Sequence, residues 1–338
     1  MISRRGFAKA VGAGAAAVSL GGAMSTTAAA TPLPTGTDLG DFGVLKQVKA
    51  GELNIGYVEN GPADGPVVIC LHGFPYSIYS YVEVAPLLAE AGYRVIVPYL
   101  RGHGTTTFLS EHTRRDAQQT VFALDLIALM DALKIKQAVL AGYDWGSRTA
   151  DIVAALWPER VKALVSVSGY LITNLKANLS PIPPSLEWAW WYQYYFATER
   201  GAEGLKRNAH DLGAVIWKFN SPTWDYSPAT YEQTAAAFTN PDYTAIVLGN
   251  YRWRLSLIPG NPRYNSIENL LQRAPSIGVP TVTIDPVKDP FYAGTGDTGY
   301  RTHFTGPYQH RLLEIGHNVP QEAPREFTQA VLDADRLR

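Results

Sequence analysis

Short apolar runs recur along the chain, and between them lie segments whose apolar residues repeat at helical spacing. Strands are predicted at 44–48 and 53–58, joined by a turn at Ala50-Gly51. The run 67–71 is continuously apolar, as expected of a strand in a sheet covered on both faces. A helix over 82–91 follows, with Gly92 placed to end it, and then a strand at 94–97. The segment 117–133 carries a helical apolar face at Phe122, Leu126, Leu129 and Met130. A strand at 136–140, a helix over 148–157 that Pro158 ends, and a strand at 161–167 continue the series. Strands alternating with helices predict an α/β fold with a mostly parallel, doubly wound sheet.

The alternation stops near Gly169. From 180 to 274 the chain is rich in Trp, Tyr and Pro, and it predicts an inserted, mostly helical cap. Alternation resumes with a strand at 280–285, a helix near 300–304, a strand at 310–313 and a helix over 324–333. The expected organisation is a core made of 42–179 and 275–338, with the cap at 180–274. A Pro/Gly/Thr-rich linker at 31–41 precedes the core.

Composition and charge narrow the picture. With 338 residues and a formal net charge of -1, the chain suits one large α/β domain with an insertion, and no clustered basic stripe points to nucleic acid. The single cysteine, Cys70, excludes an intramolecular disulfide and reads as a small core residue. Ser3-Arg4-Arg5-Gly6-Phe7-Ala8-Lys9 forms a twin-arginine motif, followed by a soft apolar stretch and the small residues Ala28-Ala29-Ala30. Residues 1–30 are therefore expected to be an export signal read by the twin-arginine translocase, delivering the protein to the periplasm or outside the cell. The stretch is too short and too weakly apolar to predict a stable membrane anchor.

The candidate chemistry centres on Gly142-Tyr143-Asp144-Trp145-Gly146, between a predicted strand and a predicted helix. Small residues two positions either side of a reactive side chain let strand and helix pass closely while that side chain stands above the sheet. The familiar version has Ser at the centre; here it is Asp144, whose plainer role is to cap the helix. His72-Gly73-Phe74-Pro75 follows a buried strand, and the Phe74 amide with the Trp145 amide could form an oxyanion hole. A simple strand-end turn would use the same Gly and Pro. His317 lies in the loop after the last strand, at the carboxyl edge of the sheet. Asp289, with Asp285 as its rival, is placed to hold the His317 imidazole.

These segments resemble the α/β-hydrolase superfamily and, within it, the epoxide hydrolases. His72-Gly73-Phe74-Pro75 is similar to the family's oxyanion motif, Asp144-Trp145-Gly146 to its elbow, and Gly316-His317 with Gln321-Glu322-Ala323-Pro324 to its histidine segment. Tyr192 stands in a segment that resembles the one holding the first ring-opening tyrosine, and Tyr251 in one like that of the second. Asp285-Pro286-Val287-Lys288-Asp289 departs from the Gly-containing turn that is commoner there, and Tyr99 stands where relatives often have Asp.

The resemblance implies a hydrolase fold, no metal or organic cofactor, and a small apolar or aromatic epoxide and water as substrates. It further implies that Asp144 forms an alkyl ester, that Tyr192 and Tyr251 assist the departing oxygen, and that His317 with Asp289 activates water.

Two other readings stay open. A dehalogenase would share the first step, with halide leaving. Haloalkane dehalogenases, however, usually have Asn where Phe74 stands, and fluoroacetate dehalogenases usually have Arg where Trp145 stands. A non-catalytic ligand-binding protein would need only the pocket.

Overall fold

Aliphatic and β-branched runs form the strands, and burial on both faces explains why the central ones show no polar alternation. The computed structural model describes residues 36–338. The strands are β1 (Val44–Ala50), β2 (Leu53–Asn60), β3 (Val67–Leu71), β4 (Arg94–Pro98), β5 (Thr107–Phe108), β6 (Ala138–Gly142), β7 (Val161–Val167), β8 (Thr281–Pro286) and β9 (Tyr308–Leu313). They form one sheet in the order β1-β2-β4-β3-β6-β7-β8-β9, with β5 paired to β2. β1, β2 and β5 pair antiparallel, as does β2 with β4, and every pairing from β4 to β9 is parallel.

The core helices are α1 (Val84–Glu90), α2 (Gln119–Ala132) and α3 (Trp145–Leu156), and the last helix of the chain, Pro324–Arg336, packs on α1 and β7. Gly92 follows α1 at φ +88°, the left-handed geometry that ends a helix without a Cβ penalty. Between β7 and β8 the chain forms α4 (Pro184–Ala189), α5 (Trp191–Ala197), α6 (Glu199–Asn220), α7 (Pro228–Ala235), α8 (Tyr243–Arg254) and α9 (Asn265–Leu271). No strand is assigned within 180–274. A short α10 (Val319–Glu322) precedes the final helix, α11.

The helical insertion is tied down by polar contacts. Trp217 Nε1 donates to Pro75 O at 2.7 Å, Asn240 Nδ2 to Gly104 O at 2.9 Å, and Asn250 Nδ2 to Ala117 O at 2.7 Å. Each partner is a loop carbonyl of the core, which would otherwise be buried without a donor.

Two local expectations need correction, and one short strand is additional to those expected. The helix expected near 300–304 is only two 3₁₀ turns, Gly296–Gly299 and Arg301–His303. Gly294 and Gly296 take positive φ, and the Tyr300 ring packs over Gly169, so the segment is shaped by turns and by one aromatic contact. β5 is a two-residue strand with no run of its own to announce it. In the expected linker, Gly36–Asp41 is bound to β1: Gly36 N donates to Leu45 O at 2.7 Å and Leu45 N to Thr37 O at 3.0 Å. Residues 1–30, where the export signal is expected, and 31–35, the start of the expected linker, lie outside the described residues. Among the described residues no helix is long and apolar enough to cross a membrane.

Candidate active site

The turn from β6 into α3 places Asp144 at φ +52° and ψ -122°, a backbone geometry that a non-Gly residue rarely takes. The flanking glycines make it possible. A Cβ on Gly142 would lie 2.5 Å from the Gly146 carbonyl carbon, and one on Gly146 only 1.9 Å from Leu71 O. Backbone of α3 occupies the first space and backbone of β3 the second, so neither residue can carry a side chain without moving helix or sheet. Asp144 stands at the N-cap position, yet its side chain accepts no bond from the helix, so capping is not its role here.

The carboxylate is instead held from the side. The Phe74 amide donates to Asp144 Oδ1 at 2.8 Å. Asp144 Oδ2 faces His317 Nε2 at 3.7 Å. The two oxygens thus differ: one is anchored, the other is presented. Burial alone would raise the Asp144 pKa, but His317, Arg148 and the Phe74 amide outweigh it and hold the group below the usual carboxylate range. Of the two amides expected to form an oxyanion hole, only that of Phe74 is engaged with Asp144. The Trp145 amide opens α3, where first-turn N–H groups have no helical carbonyl.

His317 sits in the loop between β9 and α10, and its Nδ1–H donates to Asp289 Oδ2 at 2.5 Å. Burial would lower its pKa, but Asp289 and Asp144 more than compensate and push it up to about 10. Asp285 is engaged elsewhere: it accepts from the Tyr300 hydroxyl at 2.9 Å and faces His310 at 3.7 Å. Of the two carboxylates considered for His317, Asp289 is the one in contact.

The insertion closes the site with aromatic rings. Tyr192 on α5 and Tyr251 on α8 meet edge to face at 5.4 Å, and both pack on Phe74, at 5.9 and 5.3 Å. Tyr251 also packs on Trp145 at 5.6 Å. The Tyr251 hydroxyl is buried and makes no hydrogen bond of good geometry, with the Tyr192 side chain as its polar neighbour. A buried phenol left unpaired costs about 1–3 kcal/mol, which an incoming acceptor oxygen would recover. Burial raises the pKa of both tyrosines, and the Asp144 charge adds to the effect, so both stay protonated donors.

Other residues hold these groups in place. Glu322 accepts from the amides of Gly316 and Asn318, at 2.8 and 3.0 Å, and from the Ser221 hydroxyl at 2.6 Å. It clamps the His317 loop to the end of α6. Tyr76 stacks on His317 at 5.8 Å, and Phe291 meets it edge-on at 5.3 Å. His72 is buried and neutral, its pKa lowered to about 3 by burial, and its Nε2 accepts from the Leu100 amide at 3.1 Å. It therefore pins the Phe74 loop to the chain after β4. Glu322 lies within a segment picked out by its resemblance, but its clamping role depends on Ser221, a residue 101 positions away.

Comparison with known proteins places these features in context. A family model described as alpha/beta hydrolase fold matches residues 66–279. The chain is 39% identical over 115 residues to an epoxide hydrolase of Caballeronia sordidicola, and this alignment covers 34% of each protein. It is 26% identical over 313 residues to epoxide hydrolase A of Mycobacterium tuberculosis, covering 82% of this chain and 92% of that one. With the first three curated relatives the match spans about a third of their length. A crystal structure of a candidate epoxide hydrolase from Klebsiella pneumoniae superposes with a TM-score of 0.86 at 55% identity, covering 89% of this chain and 100% of that one.

Proposed function

Because the chain belongs to the alpha/beta hydrolase fold family, we propose that it is a hydrolase that opens epoxides to vicinal diols through an ester on Asp144. The observation that carries this reading is the pairing of an ionised carboxylate on the elbow with two protonated phenols facing it from the insertion. A serine attacking a saturated carbon would leave a stable ether, whereas a carboxylate leaves an ester that water can cleave.

In the first step Asp144 Oδ2 attacks an epoxide carbon as the ring C–O bond breaks. Tyr192 and Tyr251 donate hydrogen bonds to the oxygen that leaves the carbon and help it gain a proton. Asp144 becomes a neutral ester, so His317 loses one of the two carboxylates that hold its proton. The proton it then releases balances the one taken up by the opened oxygen. In the second step His317 Nε2 accepts a proton from water, and the water oxygen adds to the ester carbonyl. The Phe74 amide, already on Oδ1, supports the oxyanion, with the Trp145 amide as the second donor. Collapse of the adduct expels the diol and restores the carboxylate. The rings of Phe74, Tyr192, Phe196 and Phe291 favour an apolar or aromatic substrate body.

Tyr192→Phe and Tyr251→Phe should each slow ester formation by about 10-fold to 100-fold, and the double variant should nearly stop it. Single-turnover kinetics with styrene oxide measures that step directly. Unchanged ester formation in the double variant would remove the phenols from the mechanism.

The pattern Ser3 to Lys9 supports export through the twin-arginine translocase, to the periplasm or beyond. Replacing Arg4 and Arg5 together by Lys should retain the protein in the cytoplasm on fractionation of a Gram-negative host. Undiminished export of that variant would withdraw the assignment.

A further inference from the structure

Two arginines beside the proposed nucleophile have no acidic partner. Arg148 lies one turn after Asp144 on α3, and its amide donates to Asp144 O at 3.1 Å. Its side chain is buried, and its one hydrogen bond runs from Nε to Leu171 O at 3.0 Å. Arg254 lies at the end of α8, one turn after Tyr251, with Cζ 5.6 Å from the centre of the Tyr251 ring. Its Nε is buried and makes no hydrogen bond. Among the described residues, no carboxylate lies within ion-pair distance of either guanidinium. Arg101 shows the contrast: it is buried, as Arg148 is, but Asp125 neutralises it through two hydrogen bonds of 2.6 and 2.7 Å.

We propose that Arg148 and Arg254 form a subsite for a carboxylate carried by the substrate, next to the epoxide that Asp144 attacks. The ion pairs of the site support this. His317 is paired with Asp289 and faces Asp144, so neither of these carboxylates is free to pair with Arg148 or Arg254. Asp151, one turn further along α3, offers little compensation. One of its oxygens accepts from the Leu171 amide at 2.8 Å, the other is buried and unpartnered, and burial pushes its pKa up to about 7. Burial and repulsion by Arg254 lower the Arg148 pKa to about 10, which leaves it charged at neutral pH and places the two guanidiniums within each other's field. Burial raises the Tyr192 and Tyr251 pKa values, and the Arg254 charge opposes that rise in both, which puts Arg254 at the same rings that face the epoxide.

A substrate carboxylate would supply the acid that neither arginine has. Two planar guanidinium forks suit a carboxylate in particular, because its two oxygens can each accept from one fork. This inference rests on the epoxide reading for what the substrate does, but the anion subsite is a separate property of the same cleft. It narrows the substrate class to epoxy acids, in which an apolar body and a carboxylate flank the ring.

The test uses two matched pairs of compounds on the full-length protein. The first pair is 3-phenyloxirane-2-carboxylate and its primary amide, compared by kcat/KM. The second is phenylacetate and phenylacetamide, compared by Kd in calorimetry, which needs no turnover. The wild type should prefer each acid over its amide by about tenfold or more, with the kinetic difference in KM. In Arg254→Gln both preferences should fall towards parity, and Arg254→Lys should restore part of them. Equal treatment of acid and amide by the wild type, or an unchanged preference in Arg254→Gln, would overturn the subsite. Failure to turn over either oxirane, with phenylacetate still preferred, would overturn the epoxide reading and leave the subsite standing.

Discussion

Asp144→Ala should lose epoxide turnover by about four orders of magnitude or more and retain the native fold. The size of the effect follows from the site. Both proposed half-reactions pass through this carboxylate: it attacks the ring, and its ester is what water then cleaves. No neighbouring acid can replace it, because Asp289 is committed to His317 and Asp285 to Tyr300. Ser147, the nearest serine along the chain, is turned away and donates to Gly142 O at 2.7 Å. Retention of the fold is expected because Ala keeps the Cβ that the turn already accommodates at positive φ. Far-ultraviolet circular dichroism and the melting temperature would verify that the loss is chemical. An Asp144→Ala protein with wild-type kcat/KM would remove the proposed mechanism altogether.

His317→Gln should separate the two half-reactions, leaving ester formation measurable and slowing hydrolysis by about a thousandfold or more. Gln is the informative replacement. Its side-chain amide can still donate to Asp289, whose side chain is 1% exposed. Truncation to Ala would leave a buried carboxylate unpaired, at a cost of about 3–5 kcal/mol, and would confuse unfolding with lost catalysis. The pH dependence has a definite sign. In the free site two carboxylates hold the His317 pKa near 10, and forming the ester removes the Asp144 charge. The pKa in the ester must therefore fall, and wild-type ester hydrolysis should accelerate as pH rises through that lower value, since the neutral imidazole is the base. Stopped-flow traces of the ester's decay would show a rising limb in the wild type and none in His317→Gln.

How much of this was legible in the sequence depended on whether the signal was local. The elbow could be read because its steric demands fall within five residues, and the structure displays the crowding at Gly142 and Gly146 that those demands imply. His317 and Asp289 could be placed because both follow strands that apolar runs had already marked. Asp289 could be preferred to Asp285 because it lies out in the loop rather than at the strand end, and the structure has it in contact with His317. Tyr192 and Tyr251 were singled out by resemblance alone. Nothing in the composition of the aromatic insertion distinguishes them from its packing residues.

The elements that were missed have long-range causes. The turns replacing a helix near Tyr300 depend on its ring lying over Gly169, more than a hundred residues earlier. The Glu322 clamp depends on Ser221. The significance of Arg148 and Arg254 is that, among the described residues, no acid forms an ion pair with them, and no stretch of sequence can display that.

The most direct test of the central claim is the intact mass of His317→Gln after exposure to a mixture of epoxides and matched haloalkanes, with the adduct located by peptide mapping. The account predicts a mass increase equal to one whole epoxide, carried on Asp144. An increase equal to an alkyl group without its halogen would contradict it and indicate a dehalogenase. An epoxide adduct on any residue other than Asp144 would contradict the assignment of the nucleophile.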